Sequence, residues 1–410
     1  MRVNLAALVI ISAIICSGCA NFGAGEKART LNQLLSQEKF EGVIAECNKA
    51  LQKKPDDADM LAYRGLAQLK SNKPQLAKAD LQNAIALNPD QGWFYCGLAD
   101  AYLECNQDKE ALESYTKADK LLPNSPRTPA ILSGMAVAHL HLDDAKQALA
   151  KINESLKLEP EQKYSYQTRA LAYIDLFEYD KAVADANKSI ALDDKNVGVY
   201  VTRAEAHFLA GHIEEAINDC HSALALNPKY FRALDMLLAI EIARGNDQAA
   251  LKIADQLISN YPKIAAAYSD KATCLFIMQD LKEAKTLADK ALMIEPDSSR
   301  ALYISMLLAA KEGNKKRALE LAERQKSHQN PMRRTKNTAL CLLITGDYQK
   351  AIEVLNGALT NEAKAPYIYR LRSYAYQKLN LPDLARADMQ KAIEQGYAKI
   401  SVLERLIASQ

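Results

Sequence analysis

Glycine and proline are scarce in this sequence, 15 and 13 among 410 residues, and there is a single tryptophan. So few turn-forming residues exclude a collagenous, loop-rich or low-complexity chain. Six histidines are too few and too scattered for a convincing metal site, and His139 and His141, two apart, point to different faces of a helix. No Gly-rich phosphate loop, HExxH or G-x-S-x-G element is present. Charge is close to balanced, with 52 Lys and Arg against 50 Asp and Glu, so the whole chain has no pull toward nucleic acid. No metal, no cofactor and no nucleic-acid partner is expected. What the sequence has in abundance is Ala, Leu, Lys, Glu and Gln, the strong helix formers, within a composition that is 49% apolar. The expectation is an all-α protein with a large core.

One apolar run stands out. Arg2 supplies a positive charge, and Leu5 to Ile15 is unbroken apolar and small residues, the shape of a secretory signal. It is shorter than the roughly 20 residues that cross a bilayer. Cys16-Ser17-Gly18-Cys19-Ala20 follows. The stretch resembles the lipobox of bacterial lipoproteins, where small residues precede a cysteine whose thiol accepts a diacylglyceryl group. Cys16 stands where Leu is usual. The resemblance implies a signal peptide at 1–18, a lipid anchor on Cys19 and a short tether at 19–23. Ala rather than Asp after Cys19 implies outer-membrane sorting, facing the periplasm, in a Gram-negative cell. Ordinary cleavage after Ala20 is the alternative. A redox or metal pair is not expected, since no βαβ pattern or second ligand pair follows.

The prolines expose an internal period. Pro55, Pro89 and Pro123 are 34 apart, Pro160 comes 37 later, and Pro228, Pro262 and Pro296 resume the step of 34 with Asp194 at the missing midpoint. Each ends a stretch such as "NAIALNP" or "SALALNP", where it stops a helix. Gly92 to Ser125 carries Tyr95, Leu98, Ala99 and Tyr102, then Ala111, Tyr115, Ala118 and Pro123. Ala77, Ala111, Ala148, Ala182, Ala216, Ala250, Ala284, Ala318, Ala351 and Ala385 hold one point in ten successive units. This pattern resembles the tetratricopeptide repeat, a helix-turn-helix unit. The resemblance implies a right-handed superhelical solenoid of about eleven repeats over residues 24–399, with residues 400–410 as a C-terminal capping helix. Departures are expected to show. Three extra residues lie in "NSPRTP" (124–129), Leu238 and Met306 replace small residues, and the ninth unit is one residue short. Irregular stacking is expected near 305–335.

Six cysteines remain: Cys47, Cys96, Cys105, Cys220, Cys274 and Cys341. Cys96 and Cys105 are about 13 Å apart along one helix at ~1.5 Å per residue, beyond disulfide reach. Six free thiols, mostly buried, are expected.

The same resemblance implies a concave groove lined by first helices. Carried onto this chain, the groove holds Trp93, Asp100, Leu171, Glu205, Phe208, Asp235, Phe276, Tyr303, Arg333, Lys336, Tyr367, Arg370 and Tyr374. It suits an amphipathic or extended peptide better than a sugar. Tyr367, Arg370 and Tyr374 are three and four apart and share a helix face, with Arg333 and Lys336 in the preceding unit. Residues 311–400 hold 17 Lys and Arg against 9 Asp and Glu, a net of +8, so this end suits an anionic group. A solvated basic edge is the bland alternative, with Tyr369 and Tyr376 packed between helices. The clamp by which some relatives hold chaperone C-termini is not reproduced, because Leu340 follows Lys336. The chain therefore reads as a non-enzymatic, lipid-anchored envelope scaffold for protein or peptide partners. The alternatives are a soluble exported chaperone-like binder without an anchor and an enzyme hidden in the groove.

Overall fold

The computed structural model describes residues 26–325, 331–359, 365–397 and 405–406, without the side chains of 331–334. The expected signal, Cys19 and tether lie outside the described residues, as do residues 326–330, the Arg333 side chain and most of the expected 400–410 cap.

Regular structure among the described residues is helical: 22 helices in eleven hairpins, each a first helix, a tight turn and a second helix. The first four are Glu26–Ser36 with Phe40–Lys53, Ala58–Lys70 with Pro74–Leu87, Gly92–Glu104 with Asp108–Leu121, and Thr128–His141 with Ala145–Leu158. Lys163–Asp175 with Tyr179–Leu192, Val197–Ala210 with Ile213–Leu226, and Phe231–Arg244 with Asp247–Asn260 follow. The last four are Ala265–Ile277 with Leu281–Ile294, Ser299–Lys311 with Lys315–Arg324, Pro331–Ile344 with Tyr348–Ala358, and Pro366–Lys378 with Pro382–Glu394. They fall into two compact units, the described residues of 26–175 with 184–194 and those of 176–183 with 195–406.

Each hairpin turns in the same way. One residue enters the left-handed region: Glu38, Asn72, Asn106, Asp143, Phe177, Gly211, Gly245, Gln279, Gly313, Gly346 and Asn380. The next amide then reaches back to the last turn of the helix, as Lys73 N does to Gln68 O at 2.9 Å and His212 N to His207 O at 2.8 Å. This closes helix carbonyls that would otherwise be unsatisfied. The positions step by 34 except for one step of 37 and one of 33, which mirrors the insertion and deletion in the sequence. The insertion adds a second left-handed residue, Asn124, ahead of the fourth hairpin. The deletion leaves the ninth second helix at 10 residues where most have 14. Leu238 and Met306, bulky where small residues were expected, are buried.

Close packing follows the small residues. All ten alanines of the repeating column are buried. In the first unit Gly134 admits Tyr115: a Cβ at 134 would stand 2.3 Å from Tyr115 Cζ, so only glycine fits. In the second unit Ala204, Phe208, Ala216, Cys220, Leu237 and Ile240 form one core cluster.

A polar tie recurs that spacing alone did not reveal. Arg64 holds Asp80 through Nε and Nη2 at 2.7 Å, and Arg169 holds Asp185 at 2.6 and 2.7 Å. In the second unit Arg203 holds Asp219 and Arg372 holds Asp388 in the same two-pronged way. Each aspartate follows its arginine by 16 residues. The remaining amine of Arg64, Arg169 and Arg372 donates to Asn48, Asn153 and Asn356 of the preceding hairpin. Each such arginine therefore joins the two helices of its own hairpin and reaches its neighbour. That is the nearest-neighbour coupling on which a repeat array depends.

The six cysteines are free; Cys47, Cys220, Cys274 and Cys341 are buried and Cys96 and Cys105 half-buried. Burial pushes the Cys47, Cys274 and Cys341 thiols up to about 12, so they behave as small hydrophobes. Of the expected cap, Arg405 and Leu406 are described. Leu406 is buried, and Arg405 pairs with Asp247 at 2.6 Å beside Gly245, at the turn of the seventh hairpin.

Candidate partner-binding face

The first helices carry the expected groove residues, and the structure sorts them by accessibility. Phe276 is fully buried, and Trp93, Asp100, Leu171, Phe208, Arg370 and Tyr374 are buried to within a tenth of full. These are packing residues: Trp93, for example, meets Tyr63 at 5.4 Å and Phe94 edge-on at 4.4 Å. Rings and aliphatic groups at these positions close against neighbouring helices. Glu205, Asp235, Tyr303, Lys336 and Tyr367 stay partly exposed.

Two of the acidic residues named for the groove, Asp100 and Asp235, have internal partners. In the first unit Asp100 accepts a short hydrogen bond from the Tyr115 hydroxyl, on the ring that Gly134 admits. Burial pushes its carboxyl up to about 7, against the pull of Tyr115 and Lys70. Glu104 is likewise raised to about 7 by burial, with Lys70 and His141 opposing. His141 Nδ1 lies 2.5 Å from Asp108. In the second unit Arg300 reaches across the eighth hairpin. Its Nη1 and Nη2 donate to both oxygens of Asp235, 65 residues earlier, at 2.7 Å, and Nη1 also meets Asp270 at 2.7 Å. Burial raises the Asp270 carboxyl, Arg300 pulls it down, and Asp235 pushes it up again. Asp235 thus serves an internal brace. His207, on a structural aromatic position, has its pKa lowered by burial and stands 3.9 Å from Asp219.

At the end of the second unit cations lie over rings. Lys336 Nζ is 5.8 Å from the centroid of Tyr367, and Lys378 Nζ is 5.2 Å from that of Tyr374. Tyr367, Arg370, Tyr374 and Lys378 run three, four and four apart down one helix face, and Lys336 brings in the tenth hairpin. Lys378, exposed at the end of this stripe, was missed by the sequence reading; its signal was the spacing of four from Tyr374. Tyr369 and Tyr376, expected between helices, are half-buried under the Arg372 guanidinium at 5.5 and 5.8 Å.

Among the described residues no group of three His, Cys, Asp or Glu side chains could hold a metal ion, and no helix is long and apolar enough to cross a membrane.

Family models match in three stretches. Residues 68–128 and 164–196 match tetratricopeptide-repeat models, and residues 277–358 match that of anaphase-promoting complex, cyclosome, subunit 3. No curated protein matches the chain. Among solved structures it is similar to a tetratricopeptide repeat protein from Parabacteroides merdae ATCC 43184, with 19% identity over 62% of this chain and 98% of that one and a TM-score of 0.49. It is similar to a chain of the APC/C hetero-tetramer Cut9-Hcn1, with 11% identity over 98% of each and a TM-score of 0.45. YrrB, a TPR protein with an unusual peptide-binding site, is 16% identical over 46% of this chain and 96% of that one, with a TM-score of 0.36.

Proposed function

We propose that this chain, a tetratricopeptide-repeat protein, is a lipid-anchored scaffold of the bacterial envelope that holds protein partners by an anionic segment. Repeats of this type are protein-interaction surfaces rather than catalysts, and fold alone does not name the partner. The observation that carries the reading is the pairing of Lys336 with Tyr367 and of Lys378 with Tyr374 on adjoining first helices. Two cations and the partly exposed Tyr367 ring match a carboxylate on an apolar or extended chain: the ammonium groups supply charge and Tyr367 supplies contact area. Neither of these two helices carries an Asp or Glu that would oppose an anion here.

The anchor rests on Cys16-Ser17-Gly18-Cys19-Ala20. One acyl chain binds a membrane only marginally, whereas two or more hold stably. Fractionation of a Cys19→Ser variant tests this clause. It is expected in the soluble fraction or trapped as unprocessed precursor, and unchanged membrane partition would count against the anchor.

A further inference from the structure

Ten of the eleven hairpin turns place Gly, Asn, Asp, Glu or Gln in the left-handed conformation; the fifth places Phe177 there, at φ 59°. The shared turn imposes that backbone, and a bulky aromatic residue held in it is a strained outlier that surrounding contacts must help to hold. The holding contact lies far along the chain, within the second unit. The Phe177 ring is 6.4 Å from Tyr367 and 6.4 Å from Tyr179. Gly396, itself at φ 94°, lies so close that a Cβ there would be 3.4 Å from Tyr179 and 3.7 Å from Phe177. Tyr367 is met on another side by Tyr397, edge-on at 5.5 Å, while Lys336 sits over it at 5.8 Å.

Phe177 therefore occupies the neighbourhood of the very ring that the proposed partner face offers. We propose that Phe177 makes an autoinhibitory contact: its ring, clasped between Tyr179 and Tyr367, covers part of the Lys336–Tyr367 face, and an anionic partner segment binds there only when the clasp opens. This rests on reading that face as anion-binding. The arrangement explains why a bulky aromatic stands where eight of the other ten turns use Gly, Asn or Asp. It also makes opening accessible, because releasing Phe177 relieves backbone strain while ring contacts are lost. Apparent affinity is then reduced in proportion to the fraction of open molecules.

The test uses the full chain and a fluorescein-labelled pentaglutamate peptide with a free C-terminal carboxylate, followed by fluorescence anisotropy. Phe177→Gly keeps the turn, since glycine accepts the left-handed conformation, and removes the ring. It is expected to bind the peptide more tightly, on the order of five-fold, with faster amide exchange over residues 367–378. Tyr397→Leu opens the enclosure from its other side and carries the same expectation should Phe177→Gly fold poorly. Lys336→Ala should bind more weakly than the unaltered chain. Equal or weaker binding by Phe177→Gly and Tyr397→Leu, with Lys336→Ala still weakened, overturns the inhibition and leaves the face standing. Unchanged exchange in Phe177→Gly overturns it as well. Absence of binding by every form overturns the anion-binding face and the inhibition together.

Discussion

Asp100 shows how a single residue links packing to solution conditions. Its carboxyl is enclosed by the third and fourth hairpins, takes the Tyr115 hydroxyl as donor, and is raised by burial to about 7. Unfolded, it titrates near ~3.9. Between those values the folded state holds a proton that the unfolded state has released, so stability falls as pH rises from about 4 to about 7 and then levels off. The loss is on the order of 4 kcal/mol at most, with Glu104 adding in the same direction. Urea midpoints at pH 5 and pH 8 check this. Asp100→Asn should remove most of the difference, and an unchanged difference would assign the slope to other groups. The sequence named Asp100 but not its state, because burial and the Tyr115 partner come from the crossing at Gly134 rather than from spacing. The same holds for Arg64, Arg169, Arg203 and Arg372: the 16-residue interval to aspartate is visible in the sequence, yet only the hairpin gives it meaning.

Among the elements, helices and turns were the most legible part. The proline step located the ends of second helices, the alanine column located the crossings, and the three-residue insertion and one-residue deletion reappear as steps of 37 and 33 between turns. Ala182 and Ala216 are fully buried at such crossings. Replacing Ala216 with Leu adds three carbons to a core shared with Phe208 and Leu237, which should cost about 1–3 kcal/mol through overpacking. Since coupling in a repeat array runs between neighbours, faster hydrogen exchange should appear in Val197–Ala210, Ile213–Leu226 and Phe231–Arg244. Equal loosening of the eleventh hairpin would contradict nearest-neighbour behaviour. The clasp of Phe177 on Tyr367 was not legible, because no periodic signal pairs residues 190 apart.

For the whole molecule, charge is distributed unevenly along the chain. Residues 311–400 carry a net of +8 while residues 1–310 carry −6. The basic end was legible from counting, but its usable face was not, since Arg370 proves buried and Lys378 exposed. The central claim is that Lys336 and Lys378 hold an anionic segment of a protein partner. Affinity capture after cross-linking in intact cells tests it most directly, comparing the unaltered chain with a Lys336→Ala, Lys378→Ala double variant of matched melting temperature. The account predicts that the variant loses specific partners that the unaltered chain retains. Without cross-linking, the difference should shrink at high ionic strength, because exposed charges are screened within about 10 Å at 0.1 M salt. Recovery of the full partner set by the double variant would contradict it.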